Sequence, residues 1–117
     1  MRKKLLLQLL IIASLSSFSQ SCFSNDGDVI NYILYKTFES KDGNMNVTFG
    51  PSSASVQAGY NSFTYIYEKY YYISNSGYKG VVKMTNTSTG NQMTLYISCR
   101  ERMVTDGQGA LLYESGT

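Results

Sequence analysis

Turn signals recur at short intervals through most of the chain and divide it into short segments. Each combines glycine with Asn, Asp or Ser, residues that accept a positive φ or hydrogen-bond their own backbone. The clearest are Asp42-Gly43-Asn44, Gly50-Pro51-Ser52, Gly59-Tyr60-Asn61, Asn75-Ser76-Gly77, Ser88-Thr89-Gly90-Asn91 and Asp106-Gly107. The segments between them are rich in Val, Ile, Thr, Tyr and Phe, which is strand composition. The chain is thereby restricted to short consecutive strands joined by tight connections.

Side chains in these segments alternate with a period of two, as in strands that bury one face. The longest example is Met93, Leu95, Ile97 and Cys99, with Thr94, Tyr96, Ser98 and Arg100 on the opposite face. Extending this phase to the other segments predicts a core that includes Val47, Phe49, Phe63, Tyr65, Val82, Met84, Leu95 and Ile97.

The pattern predicts strands at 33–40, 45–49, 53–57, 61–67, 70–73, 79–86, 91–102 and 109–114. Short connections favour antiparallel pairing of consecutive strands, because parallel pairing needs crossovers of about a dozen residues. We therefore predict an all-β fold, a small antiparallel meander barrel or strongly curled sheet of about eight strands. Residues 28–38 fit either one helical face, with Asp28 as the N-cap, or a strand, and we favour a short helix that leads into the first strand.

The N-terminus has the pattern of an export signal. Arg2, Lys3 and Lys4 precede an apolar stretch from Leu5 to Leu15, too short to span a bilayer of roughly 30 Å as a helix. We predict a signal peptide at 1–21, a tether at 22–28 and a single β-barrel-like domain at 29–117. The mature chain then has seven basic and eight acidic residues, a net charge of −1.

Cys22 admits two mutually exclusive interpretations. In the first, which we favour, it follows the small Ser21 as in a lipobox and becomes the acylated N-terminus of a bacterial lipoprotein. Ser19 and Gln20 depart from the usual lipobox residues. The protein would then be anchored to the outer membrane of the cell envelope, and Cys99 would be a lone buried residue. In the second, ordinary signal cleavage leaves Cys22 free to pair with Cys99 in an oxidising compartment.

Composition and motifs argue against several function classes. Nucleic-acid binding needs a clustered excess of Lys and Arg, and the mature chain has none. Histidine is absent and cysteines number two, so we predict no zinc site, no cofactor and no catalytic residue. Ser76-Gly77-Tyr78-Lys79 has Ser-x-x-Lys spacing, yet its glycine indicates a turn rather than a catalytic helix. Asp26-Gly27-Asp28 and Asp42-Gly43-Asn44 lack the further carboxylates of a calcium loop.

Tyrosine is the strongest compositional anomaly, with 11 residues, five of them between Tyr65 and Tyr72. Tyrosine suits half-buried strands, ligand pockets and binding surfaces alike. Alternation places Tyr70 and Tyr72 on one side and Tyr71 on the other, so at least one should face solvent. If a ligand enters the barrel, the predicted contact residues are Phe63, Tyr65, Tyr67, Tyr72 and Met84.

The segments Asn46-Val-Thr-Phe-Gly, Phe63-Thr-Tyr, Tyr72-Ile-Ser, Gly80-Val-Val and Met93-Thr-Leu resemble those of the small bacterial lipocalin-like lipoproteins. The resemblance covers most of the mature chain, although the Gly-x-Trp that often opens lipocalin-type folds is missing. It implies an exported, non-catalytic envelope lipoprotein that binds a small apolar ligand or has a structural role.

The alternative function is a protein-binding module, such as a periplasmic inhibitor of a secreted hydrolase. The stretch Ser74-Asn75-Ser76-Gly77-Tyr78-Lys79 is similar to the Ser/Gly loop of periplasmic lysozyme inhibitors, which are also small β-barrels. The second loop motif of that family is not found in this chain, and a plain hairpin turn explains the stretch better. A cavity inside the barrel would discriminate the two functions.

Overall fold

The computed structural model describes residues 21–115, so the predicted signal peptide lies outside the described residues except for Ser21. Within these described residues, one helix precedes eight strands. They are α1 (Asp26–Ile33), β1 (Thr37–Glu39), β2 (Met45–Phe49), β3 (Ser53–Ala58), β4 (Asn61–Tyr72), β5 (Lys79–Asn86), β6 (Gln92–Ser98), β7 (Met103–Thr105) and β8 (Leu111–Glu114).

The strands form a closed antiparallel barrel in chain order. Each strand pairs with the next, and β1 pairs with β8 to close the ring through Phe38 opposite Glu114 and Glu39 opposite Tyr113. The predicted all-β meander barrel with a short N-terminal helix is therefore confirmed. Closure leaves no free sheet edge among these strands, which removes the usual route to edge-to-edge aggregation.

Two strand boundaries differ from the prediction. Segments 61–67 and 70–73 are one strand, β4, which continues past a bulge between Tyr67 and Lys69. The strand predicted at 91–102 ends at Ser98, because the chain turns between Ser98 and Met103, and β7 beyond that turn was not predicted. That turn has no glycine; Arg102 takes the left-handed conformation at φ 54° instead. The predicted glycine punctuation could not reveal it.

The ambiguous N-terminal segment contains both a helix and the start of the barrel. Asn25, rather than Asp28, caps α1: its side-chain oxygen accepts a hydrogen bond from the Asp28 backbone N–H. The helix ends at Ile33 and Tyr35 reverses the chain at φ 65°, so the first strand begins only at Thr37. In the part of the chain that the structure describes, no helix has the length and apolar character needed to cross a membrane.

Helix α1 packs against the barrel through its apolar face. Val29 and Ile33 are fully buried, and Val29 lies over Gly80 of β5. A Cβ at position 80 would come within 2.6 Å of a Val29 methyl group, so only glycine allows this approach. The Asp26 carboxylate also accepts a hydrogen bond from the Tyr72 backbone N–H. Together these contacts fix the helix on β4 and β5.

The barrel interior is filled by side chains from both the strands and the helix. Seven of the eight predicted core residues are buried, and the exception is Phe63, which is 38 % exposed. Phe63 lies on the inner phase of β4 opposite Val56, but near the end of its strand, where the barrel no longer covers the ring. The sequence did not single out Phe38, Val104 and Leu112, which are also buried.

The segment before the helix is docked on the barrel rather than extended as the predicted tether at 22–28. The backbone N–H groups of Cys22 and Phe23 both donate to the Gly77 carbonyl oxygen, and the Phe23 ring is buried. Cys22 forms a disulfide with Cys99, at the end of β6. The polar composition of residues 22–28 indicated a free linker. The segment is held against the barrel because Phe23 packs in the core and Cys22 is bonded to Cys99.

The disulfide is the second of the two alternatives for Cys22. One sulfur cannot carry both a lipid and a disulfide, so the two alternatives exclude each other. Lipid attachment at Cys22 stays a prediction that an intact-mass measurement decides.

Candidate functional site

The five predicted ligand-binding residues follow the inner side of β4 and β5. Tyr65 and Met84 are buried in the core, while Tyr67 and Tyr72 are half-buried and pack against it. Tyr67 lies directly opposite Met84 in the sheet register. The structure therefore brings these four together, but as part of the packing that fills the barrel. Phe63 lies near the start of β4 and is partly exposed.

Aromatic rings occupy much of the remaining interior. Phe38 and Phe49 meet edge to face with their ring centroids 5.8 Å apart, and Tyr32 of α1 lies 6.4 Å from Phe38. Phe23 continues the series at 6.0 Å from Tyr32. Such edge-to-face contacts stabilise a core beyond the burial of area alone. The chain's own aromatic side chains thus pack against one another in the part of the interior where a lipocalin-type ligand would lie.

The Tyr67 hydroxyl is already engaged. It donates to the Gly50 carbonyl oxygen at 2.8 Å, which ties β4 to the turn between β2 and β3. Burial raises the pKa of Tyr67 to about 12, because the phenolate would be poorly solvated there. This hydroxyl serves the fold and is not available as a free polar contact for a ligand.

A pH dependence of stability follows from this shift. The folded pKa of Tyr67 exceeds its unfolded value of 10.0, so its contribution is fully present below pH 10 and is lost as pH rises toward 12. We expect urea denaturation to show decreasing stability across this range. Tyr67→Phe should flatten the decrease, since it removes the titrating group. An equally steep decrease in the variant would contradict the assignment and leave other tyrosines responsible.

The outer side of the barrel carries a second set of tyrosines. The bulge after Tyr67 shifts the pairing of β4 so that Lys69 lies opposite Lys83 and Tyr71 opposite Val81. Val81 in turn lies opposite Tyr96 of β6. Alternation along β5 and β6 places this row on the outer side, because the neighbouring Val82 and Leu95 are core residues. The prediction that Tyr71 lies on the opposite side from Tyr70 and Tyr72 agrees with this register.

The row continues around the barrel through Thr105 of β7 to Leu111 of β8. Tyr96 and Leu111 are 44 % and 45 % exposed, whereas Val81 is buried between its neighbours. We call this outer surface of β4–β8 the tyrosine face; its cross-strand row consists of Tyr71, Val81, Tyr96, Thr105 and Leu111.

A groove of about 360 Å³ runs beside this row. Its volume is at the lower end of the range for small-molecule pockets, and it is large enough for one or two side chains. The groove is mainly apolar, with a cation and a carboxylate at its borders. Its walls are formed by Ile73, Lys79, Gly80, Tyr96, Ile97, Ser98, Glu101, Met103 and Thr105. None of the five predicted ligand-binding residues is among them.

Cations border the tyrosine face. The Lys69 ammonium lies 5.4 Å from the centre of the Tyr71 ring, and the Lys79 ammonium lies 5.5 Å from that of Tyr78. The Arg100 guanidinium stacks closer, at 3.8 Å from the Tyr78 ring centre. Cation–π contacts of this kind hold long basic side chains against the surface while their charge stays in water.

Comparisons with family models, curated proteins and solved structures found no match. The function must therefore be inferred from the geometry of the tyrosine face and from the packing of the barrel interior.

The other motifs are turns. The Ser76 hydroxyl donates to the Ile73 carbonyl and accepts from the Lys79 backbone N–H, so it closes the β4–β5 connection. Asp42 accepts hydrogen bonds from Ser40 and Asn44 in the β1–β2 turn, and the Ser40 hydroxyl lowers the pKa of that carboxyl. Within residues 21–115, no group of three or more potential protein ligands gathers as a metal site would require.

Sequence reasoning missed the tyrosine face because its residues come from several strands. Local alternation does place Tyr71 and Tyr96 on outer faces, so this much could be predicted from the sequence. What it could not show is that Ile73, Tyr96 and Met103 border one groove, because this depends on the register of four strands and on the bulge in β4.

Proposed function

We propose that the protein is an exported, non-catalytic binding module that holds a partner protein on its tyrosine face. The supporting observation is the contrast between the two sides of the sheet. The inner side is filled by buried side chains, whereas the outer side has an apolar groove bordered by a row of half-exposed aromatic and aliphatic side chains. Partly exposed Tyr with few charges at its centre is typical of protein interfaces.

This proposal takes the protein-binding alternative over the lipocalin-like binding of a small apolar ligand. An eight-stranded barrel can either be filled by its own residues or hold one small ligand. The complete burial of Phe38, Phe49, Met84, Leu95 and Leu112 supports the first case for this barrel. An inhibitor of a secreted hydrolase is one kind of module that this architecture suits, and its partner would be another protein.

Export to the bacterial cell envelope is part of the proposal. It rests on the signal-like residues 1–21 and on the Cys22–Cys99 disulfide, because disulfides form and persist in oxidising compartments. Such a compartment is also where secreted hydrolases and other exported partners are met.

Affinity capture with a matched pair of variants tests the proposal. Wild-type protein, Tyr96→Asp and Tyr60→Asp are immobilised and exposed to the exported proteins of the source organism. Tyr60 is fully exposed in the β3–β4 turn, away from the groove. We expect one partner to be retained by wild type and by Tyr60→Asp, and lost with Tyr96→Asp. Retention that is indifferent to Tyr96, or native mass spectrometry that finds a lipid inside the wild-type barrel, would contradict it.

A further inference from the structure

Charges in the mature chain are segregated between two sides of the barrel. Five of the seven basic residues after position 21 lie on β4, β5 and the turn after β6, and two acidic residues, Glu68 and Glu101, lie among them. The other two basic residues share the rest of the chain with six acidic ones. The tyrosine face is therefore positive in a protein whose net charge is −1. The five basic residues are Lys69, Lys79, Lys83, Arg100 and Arg102.

Two of these cations face each other in the sheet. Lys69 and Lys83 are register partners on β4 and β5, and both are exposed. Like charges directly opposite each other destabilise a sheet. The bulge in β4 creates this pairing, because without the extra residue Glu68 would take the place opposite Lys83 and form an attractive pair. The fold thus keeps an unfavourable charge arrangement beside the apolar row.

The apolar groove lies between cations. One residue pair, Tyr70 and Val82, separates the Lys69–Lys83 pair from Tyr71 and Val81 along the strands. Lys79 is on the other side of the same row. Ile73, Tyr96 and Met103 form the apolar part of the groove, and its polar border is formed by Lys79, Ser98, Glu101 and Thr105. An apolar side chain fits the apolar part better than a sugar ring, because the hydroxyl groups of the ring would lose hydrogen bonds to water there.

From this arrangement we propose that the tyrosine face binds an acidic peptide segment of a partner protein, with an apolar side chain in the groove and carboxylates beside Lys69, Lys83 and Lys79. The inference rests on the proposed function and adds the chemistry of the partner. Carboxylates from the partner would relieve the repulsion between the opposed lysines. They would also speed association at low ionic strength, because the positive face steers an acidic segment toward it.

Chemical-shift mapping on ¹⁵N-labelled full-length mature protein tests the inference with defined probes. The first probe is a synthetic peptide with Leu-Phe between two pairs of Glu. In the second peptide Gln replaces every Glu, and in the third Gly replaces Leu and Phe. A fourth probe is polygalacturonate, an acidic polysaccharide. We expect the first peptide to shift the amide signals of Tyr71, Tyr96 and Met103, and to bind more weakly as salt is raised.

Charge-reversal variants supply the matched comparison. Lys69→Glu/Lys83→Glu should weaken binding of the first peptide by about tenfold, since several exposed charge pairs turn from attractive to repulsive. Lys41→Glu changes the same residue type on the β1–β2 turn, which lies beside Leu111 at the far end of the row and outside the groove walls, and should leave binding unchanged. The salt dependence of the wild-type protein gives an independent reading if the double variant does not fold.

Each other outcome overturns the inference. Equal binding of the Gln peptide would remove the acidic requirement while the proposed protein-binding function stands. Shifts with polygalacturonate and none with the peptides would assign the face to a polysaccharide. Shifts confined to other surfaces, or none at all, would remove the face as a peptide site, and the capture experiment with Tyr96→Asp would then judge the proposed function by itself.

Discussion

Replacing Cys99 with serine is expected to lower the free energy of unfolding by about 2–5 kcal/mol. The disulfide joins residues 77 positions apart, so its loss frees almost the whole domain in the unfolded state. It also releases the segment that places Phe23 in the core. Urea denaturation of Cys22→Ser, Cys99→Ser and the double variant should give the same loss in all three, because each removes the same bond.

Reduction gives a second reading of the same bond. A dithiol should destabilise the wild-type protein and leave the Cys22→Ser/Cys99→Ser variant unchanged. Intact mass should show a mature chain two hydrogens lighter than its reduced form. In the lipoprotein alternative, the mature chain instead carries a diacyl or triacyl increment, Cys22→Ser abolishes membrane attachment, and Cys99→Ser leaves attachment unchanged. Finding the acyl increment would reject the disulfide.

The barrel could be predicted from the sequence because the features that specify it are local patterns of a few residues. Glycine turn signals mark where the chain reverses, and Gly43, Gly59 and Gly90 indeed take positive φ in the connections. The period of two then identifies which residues face inward. Consecutive antiparallel pairing follows from short connections, and closure of eight strands follows from their number and curvature.

The errors occur where tertiary contacts override local pattern. The bulge at Glu68 joins two predicted strands because β4 remains paired with β5 on both sides of it. The turn after Ser98 was not predicted because Arg102, rather than a glycine, adopts the left-handed conformation there. Polar residues 24–28 indicated a tether, yet Asn25 caps the helix and Asp26 accepts a hydrogen bond from the Tyr72 backbone N–H.

The candidate site was less predictable than the fold for a related reason. The sequence directed attention to inner tyrosines, which proved to be packing residues such as Tyr65 and Tyr67. To predict the tyrosine face, one would need to know which residues lie opposite each other in five strands. The spacing of residues along the sequence does not give this pairing, and the bulge in β4 shifts it further. The positive charge of this face could not be predicted from the net charge, because the mature chain as a whole is slightly acidic.

The second large effect is expected at the centre of the barrel. Leu95 is fully buried on β6, so Leu95→Ala should cost about 2–5 kcal/mol through lost burial and the void it leaves. Leu112→Ala should behave alike, since Leu112 is buried on β8. The matched control is its neighbour Leu111, which is 45 % exposed on the outer side; Leu111→Ala should cost about 1 kcal/mol or less.

The same variant decides whether the wild-type barrel has room for a ligand. An apolar void created in a filled core stays dry and takes up a small apolar molecule such as benzene. If the core is filled, benzene should raise the melting temperature of Leu95→Ala and leave that of wild type unchanged, because only a species that binds the folded state stabilises it. Equal stabilisation of both would show a pre-existing cavity and restore the lipocalin-like function. Similar losses for Leu111→Ala and Leu112→Ala would instead mean that the inward phase of β8 is wrong.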